Sequence, residues 1–343
     1  MKKRLTFIVN PISGIGKQKR IERIIEDNLD LEKFDYEVRY TEHIHHGTDI
    51  ARELAETGGC DAVVAVGGDG SVNDVISGLR GYDLPLGIVP CGSGNGLARN
   101  MKIPLIPAFA IKLINQFHIA PIDTITVNDR LFVSIAGIGF DALVARKMKL
   151  AKHRGLQGYA NIILAEYPTY REREYHLIID GQEIIRKAWF ISFANSNQFG
   201  FNAAIAPLAQ LDDGLMDVCI VDKVPLAHLP LTAPLVYMNH FELSQHVEMF
   251  KAKEVKVLNN DYRWVNIDGE GECVGKELTL NTIPHSLRVI CRDPNQKPLL
   301  IEDIEKNIKD LGGNIKDLGE NIKDLGENLE KGIKDLVNKQ KEE

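Results

Sequence analysis

The chain has 343 residues with a formal net charge of −7, and 44% of its residues are hydrophobic and 26% charged. These values are ordinary for a folded protein and exclude a collagen-like chain, a disulfide scaffold and wholesale disorder. The length predicts about two domains, and the negative charge argues against a nucleic-acid binder held by a global positive field.

The N-terminal third alternates predicted strands and helices. The strands are expected at Leu5–Val9, Tyr36–Thr41, Asp61–Val66 and Leu86–Val89, and the helices at Gln18–Asn28, Thr48–Glu56, Val72–Leu79 and from Gly96 to Asn100. Strands that alternate with helices at this spacing predict a parallel sheet covered on both faces. A ligand of such a sheet binds at the carboxyl ends of the strands.

After about Ile122 the pattern changes to short alternating segments separated by turn signals, which predicts a mainly antiparallel β region. Helical inserts are expected at Tyr159–Tyr170 and Leu226–Phe241. The predicted strands are Thr124–Val127, Tyr175–Ile179, Trp189–Phe193, Met216–Val221, Val255–Leu258, Trp264–Ile267 and Leu278–Asn281.

Residues 301–343 form a separate tail with a near-exact repeat of the sequence Asn-Ile-Lys-Asp-Leu-Gly. Its apolar residues step by four and three alternately, which predicts one stripe along an amphipathic helix. A glycine in each repeat costs about 1 kcal/mol relative to alanine, so the isolated helix is marginal. We expect the tail either to fold on a partner surface, which is a membrane or a second subunit, or to be a disordered extension.

The five cysteines are widely spaced and show no zinc-binding pattern, which favours a reducing cytoplasm. The apolar run before Asn10 is too short for a signal peptide. The most apolar segment, 224–238, contains three prolines and is shorter than the roughly 20 residues needed to cross a bilayer. We therefore expect a cytoplasmic protein without a transmembrane helix.

Three glycine-rich loops directly follow three of the predicted parallel strands: Asn10–Gly14, Gly67–Asn73 and Pro90–Arg99. Glycines ahead of a helix expose backbone N–H groups, which hold phosphate favourably. Because the loops share one sheet edge, we expect them to form one nucleotide site. The candidate nucleotide-binding residues are Asn10, Pro11, Ile12, Ser13, Gly14, Thr41, Gly67, Gly68, Asp69, Gly70, Ser71, Val72, Asn73, Gly92, Ser93, Gly94 and Asn95.

The carboxylate of Asp69 disfavours a bare phosphate, so its position among the glycines indicates a magnesium ion or a magnesium-bound water. Competing signatures are weak. Gly137–Ala142 matches the dinucleotide-binding pattern G-x-G-x-x-A but lies in the β-rich half, not in the first strand-helix unit. His43, His45 and His46 are expected to be solvated more often than metal-bound.

The three loops, in this order and spacing, closely resemble the diacylglycerol kinase catalytic domain. That superfamily includes bacterial soluble diacylglycerol kinases and sphingosine and ceramide kinases, and the resemblance covers roughly residues 1–295. It implies an α/β domain similar to NAD kinases and phosphofructokinases, followed by an antiparallel β-sandwich, with ATP and lipid meeting in the cleft. The expected boundaries are 1–121 for the ATP-binding domain, completed by a segment near 288–300, and 122–287 for the lipid-substrate domain.

The resemblance also implies two further motifs. In Gln210–Asp217, which resembles the family's magnesium loop, Asp213 is the expected carboxylate ligand, with backbone carbonyls near Gln210 and Leu215 and assistance from Asp212 or Asp217. Asp268-Gly-Glu270 resembles the family's D-G-E motif. It implies that Asp268, or less favourably Glu270, is the general base, while Asp69 and Asp213 orient the phosphates through the metal.

The resemblance therefore implies an ATP- and Mg²⁺-dependent lipid kinase with a lipid substrate, peripheral contact at the inner face of the membrane and a possible homodimer. One departure leaves the acceptor open, because Gly92-Ser-Gly-Asn-Gly96 is more similar to sphingosine kinases than to bacterial diacylglycerol kinases. Diacylglycerol is the first expectation and a sphingoid base the second. An NAD kinase and a non-catalytic, nucleotide-regulated lipid-binding protein are the further alternatives.

Overall fold

The computed structural model describes residues 2–12, 20–151 and 155–293. Its N-terminal part alternates strands and helices: β1 Lys3–Val9, α1 Ile21–Asn28, β2 Phe34–Tyr40, α2 His46–Thr57, β3 Ala62–Gly67, α3 Asp69–Gly78, β4 Leu86–Pro90, α4 Gly96–Asn100 and α5 Pro107–Ile114. The four strands pair in parallel in the order β2-β1-β3-β4. β3 and β4 are buried along their whole length, as expected of strands covered on both faces.

The next part of the chain is predominantly β. It comprises β5 His118–Val127, β6 Arg130–Phe132, β7 Ile135–Gly139, α6 Phe140–Leu150, α7 Leu156–Glu166, β8 Arg173–Ile179, β9 Gln182–Ala188, β10 Phe190–Ala194, β11 Met216–Val221, α8 Leu229–Tyr237, β12 Val247–Ala252, β13 Glu254–Val257, β14 Trp264–Ile267, β15 Glu270–Cys273 and β16 Leu278–Cys291. Short 3₁₀ turns flank α8. Helix α7 belongs to a separate compact unit that includes residues 150–170.

Two sheets organise these strands. Strands β12-β11-β10-β7-β14-β15 form an antiparallel six-stranded sheet. The ten-stranded sheet runs β2-β1-β3-β4-β16-β13-β8-β9, with β5 paired to both β16 and β6. The predicted fold class, a parallel α/β part followed by an antiparallel β-sandwich, is therefore confirmed.

Strand β16 joins the two parts of the ten-stranded sheet. Its first four residues pair with β13, residues 280–283 and 287–291 pair with β5, and Val289 lies beside Leu86 of β4 in parallel. The pairing with β5 shifts register between Ile283 and Leu287, where His285 adopts a positive φ of 51°. This bulge bends one strand so that it serves both the α/β core and the sandwich core.

The buried apolar side chains form one cluster around the parallel sheet and a second between the sandwich sheets. None of the described helices is long and apolar enough to span a membrane. The predicted domain boundaries stay a prediction, and the predicted tail helix lies outside the described residues.

Candidate functional site

The first glycine-rich loop is tied to the second at the carboxyl edge of the parallel sheet. Asn10 donates its backbone N–H to the carbonyl of Val66, at 3.2 Å, and its side-chain amide to Oγ of Ser71, at 3.1 Å. Its Oδ1 accepts the N–H of Ile12, at 3.0 Å. The predicted pair Ser13 and Gly14 lies outside the described residues.

The second and third loops pack backbone to backbone. A Cβ on Gly92 would lie 2.6 Å from Cα of Gly68, and a Cβ on Gly68 would lie 3.2 Å from Cα of Gly92. Real Cβ atoms essentially never come within 3.0 Å, so Gly92 does not tolerate a side chain here, and a side chain at Gly68 would require its neighbour to shift. These glycines therefore bring two helix N-termini, those of α3 and α4, to the same place.

Asp69 is the first residue of α3, and its carboxylate fastens the third loop to the second. Oδ2 accepts the N–H of Asn95, at 2.8 Å, and Oδ1 accepts the N–H of Gly96, at 2.6 Å. Burial raises the pKa of Asp69, and these N–H groups and the Arg99 guanidinium oppose that shift. The sequence indicated a role for Asp69 at the nucleotide and its metal, and the structure shows that its carboxylate caps the start of α4.

The third loop is held by its own asparagine. Asn95 adopts a left-handed conformation with φ 53° and exchanges two hydrogen bonds with the backbone of Gly92, at 3.1 and 2.8 Å. Arg99 donates its Nε to the carbonyl of Gly94, at 2.8 Å. Ser93 stays exposed at the tip of the loop.

The remaining nucleotide candidates differ in what they present. Thr41 directly follows β2 and donates its N–H to the carbonyl of Val9 at the end of β1, at 2.9 Å. Gly70 lies in the first turn of α3, while the side chain of Val72 is buried in the core. Oδ1 of Asn73 is buried and accepts no hydrogen bond within the described chain.

The predicted magnesium loop precedes β11. Asp213 accepts the N–H of Leu215, at 3.1 Å, and the ammonium of Lys251, at 2.8 Å. Lys251 also donates to Asp217, at 3.1 Å, whose pKa is raised by burial against the opposing effect of that lysine. Gln210 and Asp212 are exposed. Two carboxylates and one ammonium thus share this position.

Asp123 is a functional candidate that the sequence analysis missed. This buried carboxylate accepts the N–H of Gly214 in the magnesium loop, at 2.6 Å, and the N–H of His285 in the β16 bulge, at 2.7 Å. Its own N–H bonds the carbonyl of Leu211, at 2.6 Å. The available signal was an acidic residue between Ile122 and Thr124, directly before the predicted strand Thr124–Val127, because a buried charge requires specific partners.

The first two residues of the D-G-E motif, Asp268 and Gly269, form the turn between β14 and β15, and Glu270 begins β15. Asp268 and Gly269 both have positive φ, 48° and 92°, as a tight hairpin turn requires. The carboxylate of Asp268 accepts three backbone N–H groups, from Val133 at 3.0 Å, Ser134 at 2.9 Å and Ile135 at 3.0 Å. It is thereby held in one orientation.

The pKa of Asp268 is raised to about 6, mainly by burial, with the charge of Asp69 adding to the shift and the three N–H donors opposing it. The Glu270 side chain also reaches the second loop, because its Oε1 lies 3.4 Å from the Cβ position of Gly70. The structure therefore brings the D-G-E turn and the glycine-rich loops together. A carboxylate of raised pKa beside a phosphate-binding edge suits proton abstraction.

The described residues contain no group of three or more His, Cys, Asp or Glu side chains arranged to hold a metal ion. His43 and His46 stack on each other with ring centroids 4.4 Å apart, and His45 bonds Asp74 at 2.9 Å. All three are at the surface or partly exposed.

Both parts of the chain are similar to known protein domains. Residues 4–127 match the diacylglycerol kinase catalytic domain, and residues 134–291 match the YegS C-terminal NAD kinase beta sandwich-like domain. A diacylglycerol kinase from Mycobacterium tuberculosis is 29% identical over 306 residues, which covers 84% of this chain and 94% of that protein. A diacylglycerol kinase from Bacillus subtilis is 29% identical over 274 residues, which covers 78% of this chain and 90% of that protein.

Solved structures agree in fold. A diacylglycerol kinase from Bacillus anthracis superposes with a TM-score of 0.66 at 21% identity, over 85% of this chain and 97% of that one. Neither domain match is to an NAD kinase catalytic domain, and both curated relatives are named as kinases. The chain therefore contains a diacylglycerol kinase catalytic domain followed by a YegS C-terminal β-sandwich-like domain, and it is an ATP-dependent lipid kinase.

Proposed function

We propose that the protein transfers the γ-phosphate of ATP to the free hydroxyl of diacylglycerol, giving phosphatidic acid. The observation that carries this proposal is the meeting of Asp268 and Glu270 with the glycine-rich loops, where Asp69 and Gly70 lie. The relatives named diacylglycerol kinase support the choice of acceptor.

In this proposal the N–H groups at the start of α3 bind the phosphates of ATP, and Asn10 and Asn95 keep the loops in shape. Phosphoryl transfer depends mainly on positioning and on neutralising charge. The acceptor O–H gives its proton to Asp268, its oxygen forms a bond to the γ-phosphorus, and the bond from that phosphorus to the bridging oxygen breaks to release ADP.

Geometry favours Asp268 as the base. A carboxylate offers about four acceptor positions, and three of them are taken by backbone N–H groups. One position on Oδ2 is left, since Oδ1 accepts two of the three bonds. Glu270 is exposed and points to the second loop, so we assign it the contact with the nucleotide side of the site.

The oxygen donors of the 210–217 loop fit Mg²⁺ in chemistry, because this ion takes one or two carboxylates and keeps several waters. We propose that Asp213 holds the ion, with carbonyls near Gln210 and Leu215 and with Asp212 or Asp217 assisting. When bound, Mg²⁺ would neutralise charge on the phosphates. Lys251 bonds both Asp213 and Asp217, and its positive charge offsets part of the negative charge of the two carboxylates.

The acceptor is tested with purified full-length protein, labelled ATP and a matched panel of diacylglycerol, sphingosine and NAD. We expect label in phosphatidic acid. Label in sphingosine phosphate alone would assign the enzyme to the sphingoid bases, which the Gly92–Gly96 sequence keeps as the second candidate. NAD serves as the control for the related fold, and phosphorylation of NAD alone would reject the lipid acceptor.

We further propose peripheral contact with the inner face of the membrane, because diacylglycerol resides in a bilayer. No acidic or basic residue other than histidine occurs between Val224 and Phe241. The segment that contains α8 nevertheless exposes large apolar side chains, with exposed fractions of 75% for Leu231 and 63% for Met238. The five cysteines form no disulfide, in agreement with a cytoplasmic location.

The double variant Leu231→Lys, Met238→Lys is expected to bind phospholipid vesicles several-fold more weakly, since each change replaces an exposed apolar group with a hydrated ammonium. Vesicle co-sedimentation measures the effect, and turnover on a soluble short-chain diacylglycerol should not change. Leu31→Lys is the matched control, because Leu31 is also exposed and lies in the loop after α1. Equal vesicle binding by all three proteins would reject α8 as the contact.

Deletion of residues 301–343 tests the tail separately. A loss of vesicle binding with unchanged turnover on the short-chain lipid would assign the tail to the membrane. A fall in oligomer mass by light scattering would instead support the proposed homodimer.

A further inference from the structure

The Gly137–Ala142 motif, which matches a dinucleotide-binding pattern, lies at the junction between β7 and α6. Gly139 has a φ of 82°, and a Cβ there would lie 2.7 Å from the hydroxyl of Tyr175. A Cβ on Gly137 would overlap the carboxylate of Asp141. The two glycines therefore allow the chain to turn sharply and to seat the Asp141 carboxylate against β7.

The seated carboxylate faces one partner. Asn266 on β14 pairs directly opposite Gly137 and donates its side-chain Nδ2 to both oxygens of Asp141, at 3.0 Å each. Burial raises the pKa of Asp141 to about 7, and this hydrogen bond opposes the shift.

The other end of the Asn266 amide holds the D-G-E turn. Its Oδ1 accepts the N–H of Gly269, at 2.9 Å. A backbone N–H can only donate, so the amide oxygen must face the turn and the amide nitrogen must face Asp141. Asp141 therefore reaches the turn of Asp268 through a single oriented side chain.

Helix α6 also braces the strand that leaves the turn. A Cβ on Gly271 would lie 2.6 Å from the backbone N and Cα of Arg146, so β15 packs directly on the helix that begins with the motif. Helix α6 thus contacts the chain both before and after Asp268, at Asn266 in β14 and at Gly271 in β15.

We propose that Asp141 is a positioning residue for catalysis, which acts through Asn266 to fix the D-G-E turn and so to aim the carboxylate of Asp268. The inference rests on the proposed function, in which Asp268 is the general base. Both oxygens of the Asp141 carboxylate accept Nδ2 of Asn266, so they favour the amide orientation in which Oδ1 holds Gly269. An asparagine at position 141 accepts or donates and removes that constraint.

Asp141→Asn and Asn266→Ala are each expected to lower kcat by roughly 10- to 100-fold, the effect of a small misplacement at a reacting centre, with unchanged KM for ATP and lipid. The double variant should be no slower than the slower single variant, because both changes break one connection. Steady-state kinetics with ATP and short-chain diacylglycerol measure these values.

Additive losses in the double variant, or a raised KM for lipid with unchanged kcat, would overturn the proposal. Asp180→Asn is the matched control, since that carboxylate also accepts backbone N–H groups, from Lys253 and Glu254, but in the β8–β9 turn. Its kcat should equal that of the wild type.

Thermal unfolding and ATP-analogue binding establish that each variant is folded. If Asn266→Ala does not fold, comparison of Asp141→Asn with Asp141→Ala replaces the cycle, and wild-type kcat in either would reject the role. Full turnover in Asp268→Asn would reject the base assignment itself, whereas a slow Asp268→Asn beside a normal Asp141→Asn would reject only the positioning role.

Discussion

Asp268→Asn is expected to lower kcat by roughly 10²- to 10⁴-fold, the usual contribution of a general base, with little change in ATP affinity. The amide keeps the size of the carboxylate but does not accept the acceptor proton. Its nitrogen also fails to accept one of the N–H groups of residues 133–135, so thermal unfolding is measured alongside turnover.

The pH dependence makes this expectation sharper. Asp268 has a raised pKa of about 6, so it is ionised and active as a base above that pH and protonated below it. The kcat/KM of the free enzyme should therefore fall as the pH drops through about 6. This acid limb should disappear from the residual activity of Asp268→Asn.

Glu270→Gln is the control for the assignment, because both carboxylates belong to the same turn. If Glu270→Gln loses turnover and the acid limb while Asp268→Asn keeps both, the two roles are reversed. If both variants keep wild-type kinetics, the D-G-E turn has no part in proton transfer.

Asp69→Ala is expected to reduce kinase activity below detection while the protein remains folded. The substitution removes the proposed link to the metal, and it also frees the N–H groups of Asn95 and Gly96. A buried, unsatisfied N–H costs about 1–3 kcal/mol, so a lower unfolding temperature and weaker ATP binding should accompany the loss. ATP-analogue titration and differential scanning calorimetry measure both.

Asp69→Asn separates the two roles of this carboxylate. Its remaining oxygen still accepts one N–H but carries no charge, so it should recover part of the stability without the activity. Wild-type turnover in Asp69→Ala would remove the residue from the mechanism. Asp83→Ala, which alters a surface ion pair with Arg288, should match the wild type.

The parallel sheet was predictable because its strands are short, continuous apolar runs separated by local helix patterns. The strand predictions for β1 to β4 lie within a few residues of the observed bounds, although α3 begins at Asp69 and not at Val72. The helices α5 and α6 and the strands β6, β7, β9, β12 and β15 were missed. β7 contains two glycines, and its role depends on pairing with β10 and β14, far away in the sequence.

The long strand β16 was predicted only as far as Asn281, because Pro284 and His285 interrupt the strand pattern at the bulge. A helical insert was predicted from Leu226 to Phe241. The observed helix α8 is shorter, contains a proline and is flanked by 3₁₀ turns. These differences come from tertiary contacts that local propensity does not encode.

The residues of the candidate site also fall into those that local sequence predicts and those that depend on distant contacts. The glycine-rich loops are local motifs that directly follow predicted strands, so their position at one sheet edge could be predicted from the sequence. Asp123, Asp141 and Asn266 act on segments more than 60 residues distant, such as Gly214 for Asp123 and Asn266 for Asp141. No spacing rule predicts such pairs. The sequence indicates these residues only as polar side chains within or beside apolar segments.

The position of β16 has a consequence for biosynthesis. The edge of β4 is completed by a strand that ends at Cys291, about 200 residues later in the chain. During translation the N-terminal sheet therefore remains open at β4 until nearly all of the described chain has emerged. Such distant pairing slows folding and leaves an unpaired edge exposed, so nascent chains that stop before residue 278 should be frequent clients of chaperones.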